Sequence, residues 1–370
     1  MSQTTTVVAE GPSRAPWYLR LPVIADLRRS VGLQRGMLIV GLVLTALLVL
    51  TAIFAPLIAP YGFAASAADG VGFGTQQAPN PTNHWGTTVA GYDVLSRVVW
   101  GARTAVLTII TSVTMSFVIG VLLGLVSGYV GGWFDRICTM ITDAVYAFPS
   151  LLLAIVLSIV ISGGQSSAAG GIMSAAISIT VVYVPQYFRV IRAETVRLKA
   201  EPFVEAARVT GVPVRRTLFG HILRNATRTL PLIFTLNASE SILTLAGLGF
   251  IGFGIEPSSA AEWGYDLNRS MTDVTSGMWW TAIFPGLAIV LSVLGITLMG
   301  ESMNDLNDPR LRRRRAPKKT RAAAPAARAA EPGAPARAEA PTGSASSGPA
   351  GDGPEGPARA ADDTDDTKEA

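Results

Sequence analysis

The chain has 370 residues, of which 49% are hydrophobic and only 15% are charged. Soluble globular proteins carry about 25% charged residues, so this composition excludes an ordinary soluble domain and indicates a polytopic membrane protein. The single Cys138 excludes an internal disulfide, the two histidines form no metal signature, and the excess of Lys and Arg is better explained by membrane orientation than by nucleic-acid binding.

Six apolar segments follow a polar N-terminal segment, residues 1–35. They predict membrane spans at about 36–58, 104–134, 137–162, 171–188, 229–254 and 279–300. No charged residue occurs in the 45 positions between Asp143 and Arg189, which leaves room for two spans of roughly 20 residues each and a turn. We expect the second span to end near the glycines at 128–132, and Pro185 to kink or end the fourth. Pro149 is expected to break the helix within the third span.

The charges of the loops predict the orientation. The only Lys or Arg residues in the loops 62–103, 163–171 and 255–278 are Arg97, Arg103 and Arg269. The other side of the membrane therefore holds 27 of the 30 Lys and Arg residues. Cytoplasmic loops are enriched in Lys and Arg, which places both termini in the cytoplasm. The tail, residues 312–370, is rich in Ala, Pro and Gly and is expected to be disordered. Its basic start either contacts anionic lipid headgroups or serves as an orientation signal.

The stretch 189–228 between the fourth and fifth spans is amphipathic and basic. Gly211 has the conformational freedom to close a first helix in the left-handed region, and Pro213 suits the first turn of a second. We therefore predict a helix–turn–helix bracket, apolar on one side and basic on the other. Such a bracket either contacts another protein or lies on the membrane surface, since basic amphipathic helices are common at interfaces. The small Ala206 and Ala207 favour a close protein contact.

Two acidic residues lie in apolar spans. A carboxylate in the membrane is costly, so it usually faces a cavity or has a partner. Glu240 lies midway through the fifth span beside Asn237, and it either lines a translocation path or forms a hydrogen-bonded packing element. Asp143 lies nearer the cytoplasmic end of its span, where water reaches it, and a structural role is favoured there.

Several motifs in combination resemble one protein family. They are the loop motif Glu205-Ala206-Ala207 with Gly211 and His221-Ile222-Leu223, and the segments 93–97, 101–104, 128–133, 147–154, 280–289 and 308–311. Together they resemble the C-type permease of bacterial ATP-binding-cassette (ABC) importers for dipeptides, oligopeptides and nickel, over about residues 36–311. Arg224 stands where that family usually has proline.

The resemblance implies an all-α membrane fold of the type I importer class, in the bacterial cell membrane. It also implies a second homologous permease, two ATPase subunits and an extracytoplasmic substrate-binding protein as partners. The chain itself would bind no cofactor and no metal and would have no catalytic residue, since the partner ATPases use the ATP. The residues implied in ATPase coupling are Glu205, Ala206, Ala207, Gly211, Arg215, Arg216 and His221.

Other functions remain open from the residues alone. The resemblance favours di- and oligopeptides as the substrates. A nickel or other small-solute importer is the alternative, although the spans contain no Cys and His cluster in favour of nickel. An ion-coupled secondary transporter is disfavoured because no inverted pair of broken spans is evident. A membrane enzyme is disfavoured because the sequence has no catalytic cluster and no phosphate-binding Gly-Lys loop.

Overall fold

The computed structural model describes residues 33–68, 70–162, 168–227 and 230–307. The tail 312–370, all but the end of the N-terminal segment 1–35, and most of the predicted loop 163–171 lie outside these ranges. Within them, the chain is mostly helical, with α1 Leu33–Ile58, α2 Val94–Val130, α3 Gly132–Tyr146, α4 Ser150–Ser162, α5 Ala168–Lys199, α6 Pro202–Val209, α7 Val214–Arg216, α8 Leu223–Ala226, α9 Leu230–Ile251, α10 Trp263–Thr275 and α11 Trp280–Asn307. A π-helical turn, Thr217–Ile222, joins α7 to α8. A short antiparallel hairpin, β1 Ala67–Ala68 and β2 Val71–Gly72, follows α1.

Five helices in the described ranges are long and apolar enough to cross a membrane, namely α1, α2, α5, α9 and α11. The pair α3 and α4 passes the same criterion jointly, so the number is six if this pair forms one span. The six-span prediction therefore agrees with the upper count. α2 contains 37 residues, about 55 Å at 1.5 Å per residue, which exceeds the roughly 30 Å of a hydrocarbon core.

The second predicted span begins earlier than the sequence indicated. α2 starts at Val94 rather than at residue 104, because the carboxylate of Asp93 accepts a hydrogen bond from the backbone N–H of Ser96 at 2.8 Å and caps the helix. Arg97 and Arg103, predicted to lie in a loop, are therefore helical. The other end agrees with the prediction: Gly131, with a φ of 69°, terminates α2.

The third predicted span, 137–162, is wrong as a continuous helix. The chain bends by 98° between α3, which ends at Tyr146, and α4, which begins at Ser150. Pro149 lies in this break and has no backbone N–H to continue the helical hydrogen-bond ladder. Apolar composition did not reveal the size of this bend, because the two helices together are still apolar enough to pass as one span, and Pro149 was the only local signal of a break.

Two further boundaries differ from the prediction. Pro185 does not end the fourth span, because α5 continues through it to Lys199. The predicted loop 255–278 contains α10, which is capped by the side chain of Glu262. The fifth predicted span corresponds closely to α9, and the sixth extends further than predicted, to Asn307.

The helices α2 and α5 form the most extensive helix pair. Three glycines of α2, spaced four residues apart at Gly120, Gly124 and Gly128, face the backbone of α5. A Cβ at Gly124 would lie 2.6 Å from the carbonyl oxygen of Phe188. Small residues at this spacing let membrane helices approach closely. The glycine stripe therefore fixes the position of α5, which leads directly into the predicted bracket.

Candidate functional site

The segment 202–226 folds as the predicted helix–turn–helix bracket. Pro202 occupies the first turn of α6, where its missing N–H is not needed. Gly211 has a φ of 72°, and the N–H of Val212 donates to the carbonyl of Ala207 at 3.0 Å. This bond and the left-handed glycine form the motif that commonly closes helices, which confirms the predicted turn. Pro213 then precedes the helical segment of α7, the π-helical turn and α8.

One face of the bracket is fixed to the body of the protein. Val204, Leu218, Ile222 and Ala226 are buried there. They belong to one apolar cluster with side chains of α2 and α5, among them Val121, Leu125, Tyr187 and Ile191. The bracket is thus a packed element and not a loop with a single attachment at each end.

The opposite face of the bracket is exposed and combines apolar with basic side chains. The apolar residues are Phe203, Val209, Val214 and Phe219, and Val209 is 83% exposed. Arg208, Arg215 and Arg216 are exposed beside them. Arg215, Arg216, Phe219 and Gly220 line an open depression of about 660 Å³ together with Pro213. We call this exposed face the basic–apolar surface.

All seven residues predicted to take part in coupling lie on the bracket. Six of them are exposed, and Ala207 is half-buried. The exposed six are Glu205, Ala206, Gly211, Arg215, Arg216 and His221. Their exposure makes them accessible to a partner subunit.

Glu240 lies on α9 and lines a cavity of about 250 Å³ at the bend between α3 and α4. The polar and aromatic residues around it were not predicted from the sequence as path residues; they are Tyr146, Phe148, Ser150, Tyr183 and Gln186. The hydroxyl of Tyr183 lies 3.0 Å from that of Thr244. The sequence signal for this cavity was the presence of polar Tyr and Gln side chains in a largely apolar span. We call it the Glu240 cavity.

The other two predicted path residues do not line the Glu240 cavity. Asn237 is fully buried and lies beside the hydroxyl of Tyr187 on α5. Asp143 forms an ion pair with Arg189 at 2.8 Å and lines a separate open depression between α3 and α5. In the structure, Asp143 therefore connects two helices.

A second ion pair strengthens the connection between α3 and α5. The guanidinium of Arg192 donates to both carboxylate oxygens of Asp135, at 2.5 and 2.6 Å. The guanidinium carbon of Arg189 also lies over the ring of Tyr146, 4.2 Å from the ring centroid. The helix that leads into the bracket is thus attached to the helix that leads to the bend, next to the Glu240 cavity.

A buried ionic cluster joins the start of α2 to α10. Arg97 donates from Nε to both oxygens of Asp266, at 2.7 and 2.9 Å, and is 2% exposed. Glu262 is also buried, and its carboxylate accepts the N–H groups of Gly264 and Tyr265 at 2.7 Å. Burial raises the pKa of Glu262 to about 8, although these two hydrogen bonds oppose the shift. Burial likewise raises the pKa of Asp266, and Arg97 opposes that shift.

This ionic cluster was missed by sequence reasoning, which counted Arg97 only as a loop charge. Its residues lie 169 positions apart, so no local pattern connects them. Nowhere in the described part of the chain do three His, Cys, Asp or Glu side chains come close enough to hold a metal ion.

Comparison with known proteins identifies the class. Residues 120–313 match the family described as binding-protein-dependent transport system inner membrane component. Residues 34–80 match the N-terminal transmembrane domain of oligopeptide transport permease C. Together the two matches include most of the described helices.

Individual relatives agree with this assignment. The dipeptide transport system permease protein DppC of Alkalihalophilus pseudofirmus is 35% identical over 274 residues, which cover 74% of this chain and 86% of the relative. The glutathione transport system permease protein GsiD of Escherichia coli O157:H7 is 35% identical over 267 residues, which cover 72% and 84%.

Family membership excludes the enzyme and the self-contained secondary transporter considered above. ATP hydrolysis in such importers occurs in separate ATPase subunits. With its apolar helices, the protein is a multi-pass membrane protein. The chain belongs to the binding-protein-dependent transport system inner membrane components, as a permease subunit of the peptide and nickel group of ABC importers.

Proposed function

We propose that this permease transports short peptides, including glutathione-like peptides, as one half of a translocation path. The second half is a homologous permease, an extracytoplasmic binding protein delivers the peptide, and two ATPases bind on the cytoplasmic side. The proposal of a peptide substrate is carried by the similarity to a dipeptide permease across 86% of that relative's length. Both termini lie in the cytoplasm, as the loop charges favour.

The basic–apolar surface is the part of the chain that we propose to contact an ATPase. Exposed apolar side chains in a contiguous patch are typical of interaction sites. Here Phe203, Val214 and Phe219 are exposed beside Arg215 and Arg216. A cleft with an apolar floor and acidic rim would complement this face. Because the other face of the bracket is packed against α2 and α5, a push on the bracket would move those helices as a unit.

The bracket is connected to the proposed path through α5. This helix ends at Lys199, three residues before α6, and its residues Arg189 and Arg192 hold α3 by ion pairs. The bend that follows α3 borders the Glu240 cavity. A displacement of α5 would therefore change the shape of that cavity, which supports a mechanical link between ATPase closure and substrate release.

The coupling proposal is tested by variants of the bracket. Glu205→Arg reverses an exposed charge, and Gly211→Val places a β-branched residue in the left-handed region at a cost of about 1–2 kcal/mol. We expect both variants to reach the membrane in normal amount, to lose uptake and to retain less ATPase on co-purification.

Gly211→Asn is the matched control, since asparagine tolerates the left-handed region and a Cβ at this position meets no atom within 4 Å. Near-normal uptake and ATPase yield in both test variants would instead indicate a bracket that only lies on the membrane surface. The substrate class is tested separately, by uptake of labelled dialanine into vesicles with the assembled transporter.

A further inference from the structure

The Glu240 cavity contains a carboxylate in a membrane helix without an ionic partner in the described ranges. Ion pairs elsewhere in those ranges account for Asp135, Asp143 and Asp266, but none involves Glu240. The side chain of Glu240 is exposed to the cavity. A charge within a membrane helix is costly unless a cation or water compensates it.

The side chains around Glu240 suit a ligand in which a cationic group is attached to a polar group. Tyr183 and Gln186 on α5 and Tyr146 on α3 line the same cavity. Aromatic faces attract cations. The guanidinium carbon of Arg189, for example, lies 4.2 Å from the centroid of the Tyr146 ring. That guanidinium is itself paired with Asp143, so it does not neutralise Glu240. The volume of about 250 Å³ accommodates one end of a small peptide.

We propose that Glu240 binds the terminal ammonium group of the peptide during its passage through the permease. The carboxylate would accept charge-assisted hydrogen bonds from the ammonium, and the amide of Gln186 would offer a donor and an acceptor to the adjacent peptide group. This inference rests on the proposed peptide function and adds a chemical preference of the path, in addition to the selection made by the binding protein.

The position of the cavity makes this site sensitive to the transport cycle. The bend between α3 and α4 forms one wall, and α5 and α9 form the others. Because α5 leads into the bracket, movement of the bracket would change the distance between Gln186 and Glu240 and with it the hold on the ammonium. Binding and release of the cation would thus follow the state of the ATPases.

The experiment uses the assembled transporter with its binding protein, reconstituted in lipid vesicles. The probe is a dipeptide with a free N-terminal ammonium and a photoreactive diazirine in its second side chain. Illumination during ATP turnover should cross-link it to this subunit, within segments that line the cavity. For Glu240→Gln we expect cross-linking and uptake to fall about tenfold, as for the loss of one charge-assisted contact. Glu240→Asp should retain most of the signal.

Glu301→Gln is the matched control, since Glu301 is exposed on α11 and does not line this cavity. The binding protein is the same in every sample, so its selectivity cannot produce a difference between variants. Unchanged cross-linking and uptake in Glu240→Gln would overturn the inference. If the Glu240→Gln subunit no longer co-purified with the second permease, the inference would also be overturned, because Glu240 would then serve assembly of the transporter. Absence of peptide uptake by the unmodified transporter would refute the proposed function itself.

Discussion

Substitution of Gly124 by alanine tests how tightly α2 must contact α5. A Cβ at this position would lie 2.6 Å from the carbonyl oxygen of Phe188 and 3.1 Å from the backbone nitrogen of Arg192. Ordinary van der Waals contact begins at about 3.4 Å. The two helices would therefore have to separate by about 0.8 Å at this point, because backbone atoms cannot rotate away as a flexible side chain can.

The cost of this separation is estimated from the behaviour of overpacked interiors. Insertion of one extra carbon into a close-packed contact typically costs about 1–3 kcal/mol. Alanine is favoured over glycine within a helix by roughly 1 kcal/mol, which would hide part of this loss. Gly36→Ala removes that ambiguity, since Gly36 is also helical and a Cβ there meets no atom within 4 Å.

The measurement is thermal unfolding of the purified subunit in detergent, with both variants compared at the same protein concentration. We expect Gly36→Ala to match or exceed the unmodified protein. A difference of about 2 kcal/mol between the variants corresponds to ~3–4 °C for a domain of this size, with Gly124→Ala the less stable. Equal midpoints for the two variants would show that α2 and α5 separate without penalty, and the close-contact argument would be wrong.

Two further predictions concern the ionic cluster and the orientation. Since burial raises the pKa of Glu262 from 4.5 to about 8, the folded subunit binds one more proton than the unfolded chain between these pH values, so its stability should fall as the pH rises, by at most ~1.4 kcal/mol per pH unit. From pH 5 to pH 8, the thermal midpoint should therefore fall more for the unmodified protein than for Glu262→Gln. An equal fall in both proteins would contradict this. In a Cys138→Ser background, an impermeant thiol reagent added to intact cells should label Ser258→Cys and not Arg216→Cys; the reverse pattern would refute cytoplasmic termini.

The sequence alone determined the features that depend on neighbouring residues. Hydropathy located the helices near their observed positions, because the membrane selects for apolar segments of sufficient length whatever their partners. The turn of the bracket at Gly211 was also predictable, since only a few residues accept a positive φ at low cost. The combination of motifs identified the family correctly, although no single one of them would have sufficed.

The tertiary structure decided how distant segments meet. Apolar composition did not show that the chain turns by 98° between α3 and α4, nor that α5 passes through Pro185, because both outcomes depend on the neighbouring helices. The sequence indicated that Arg97 is a charge in a loop, whereas the structure places it in a buried ion pair with Asp266. Likewise, Glu240 was recognisable as an unusual acid, but only the packing of α5 and α9 around the bend gave it a cavity. Local patterns specify which segments enter the membrane, whereas long-range packing determines which polar side chains share a site.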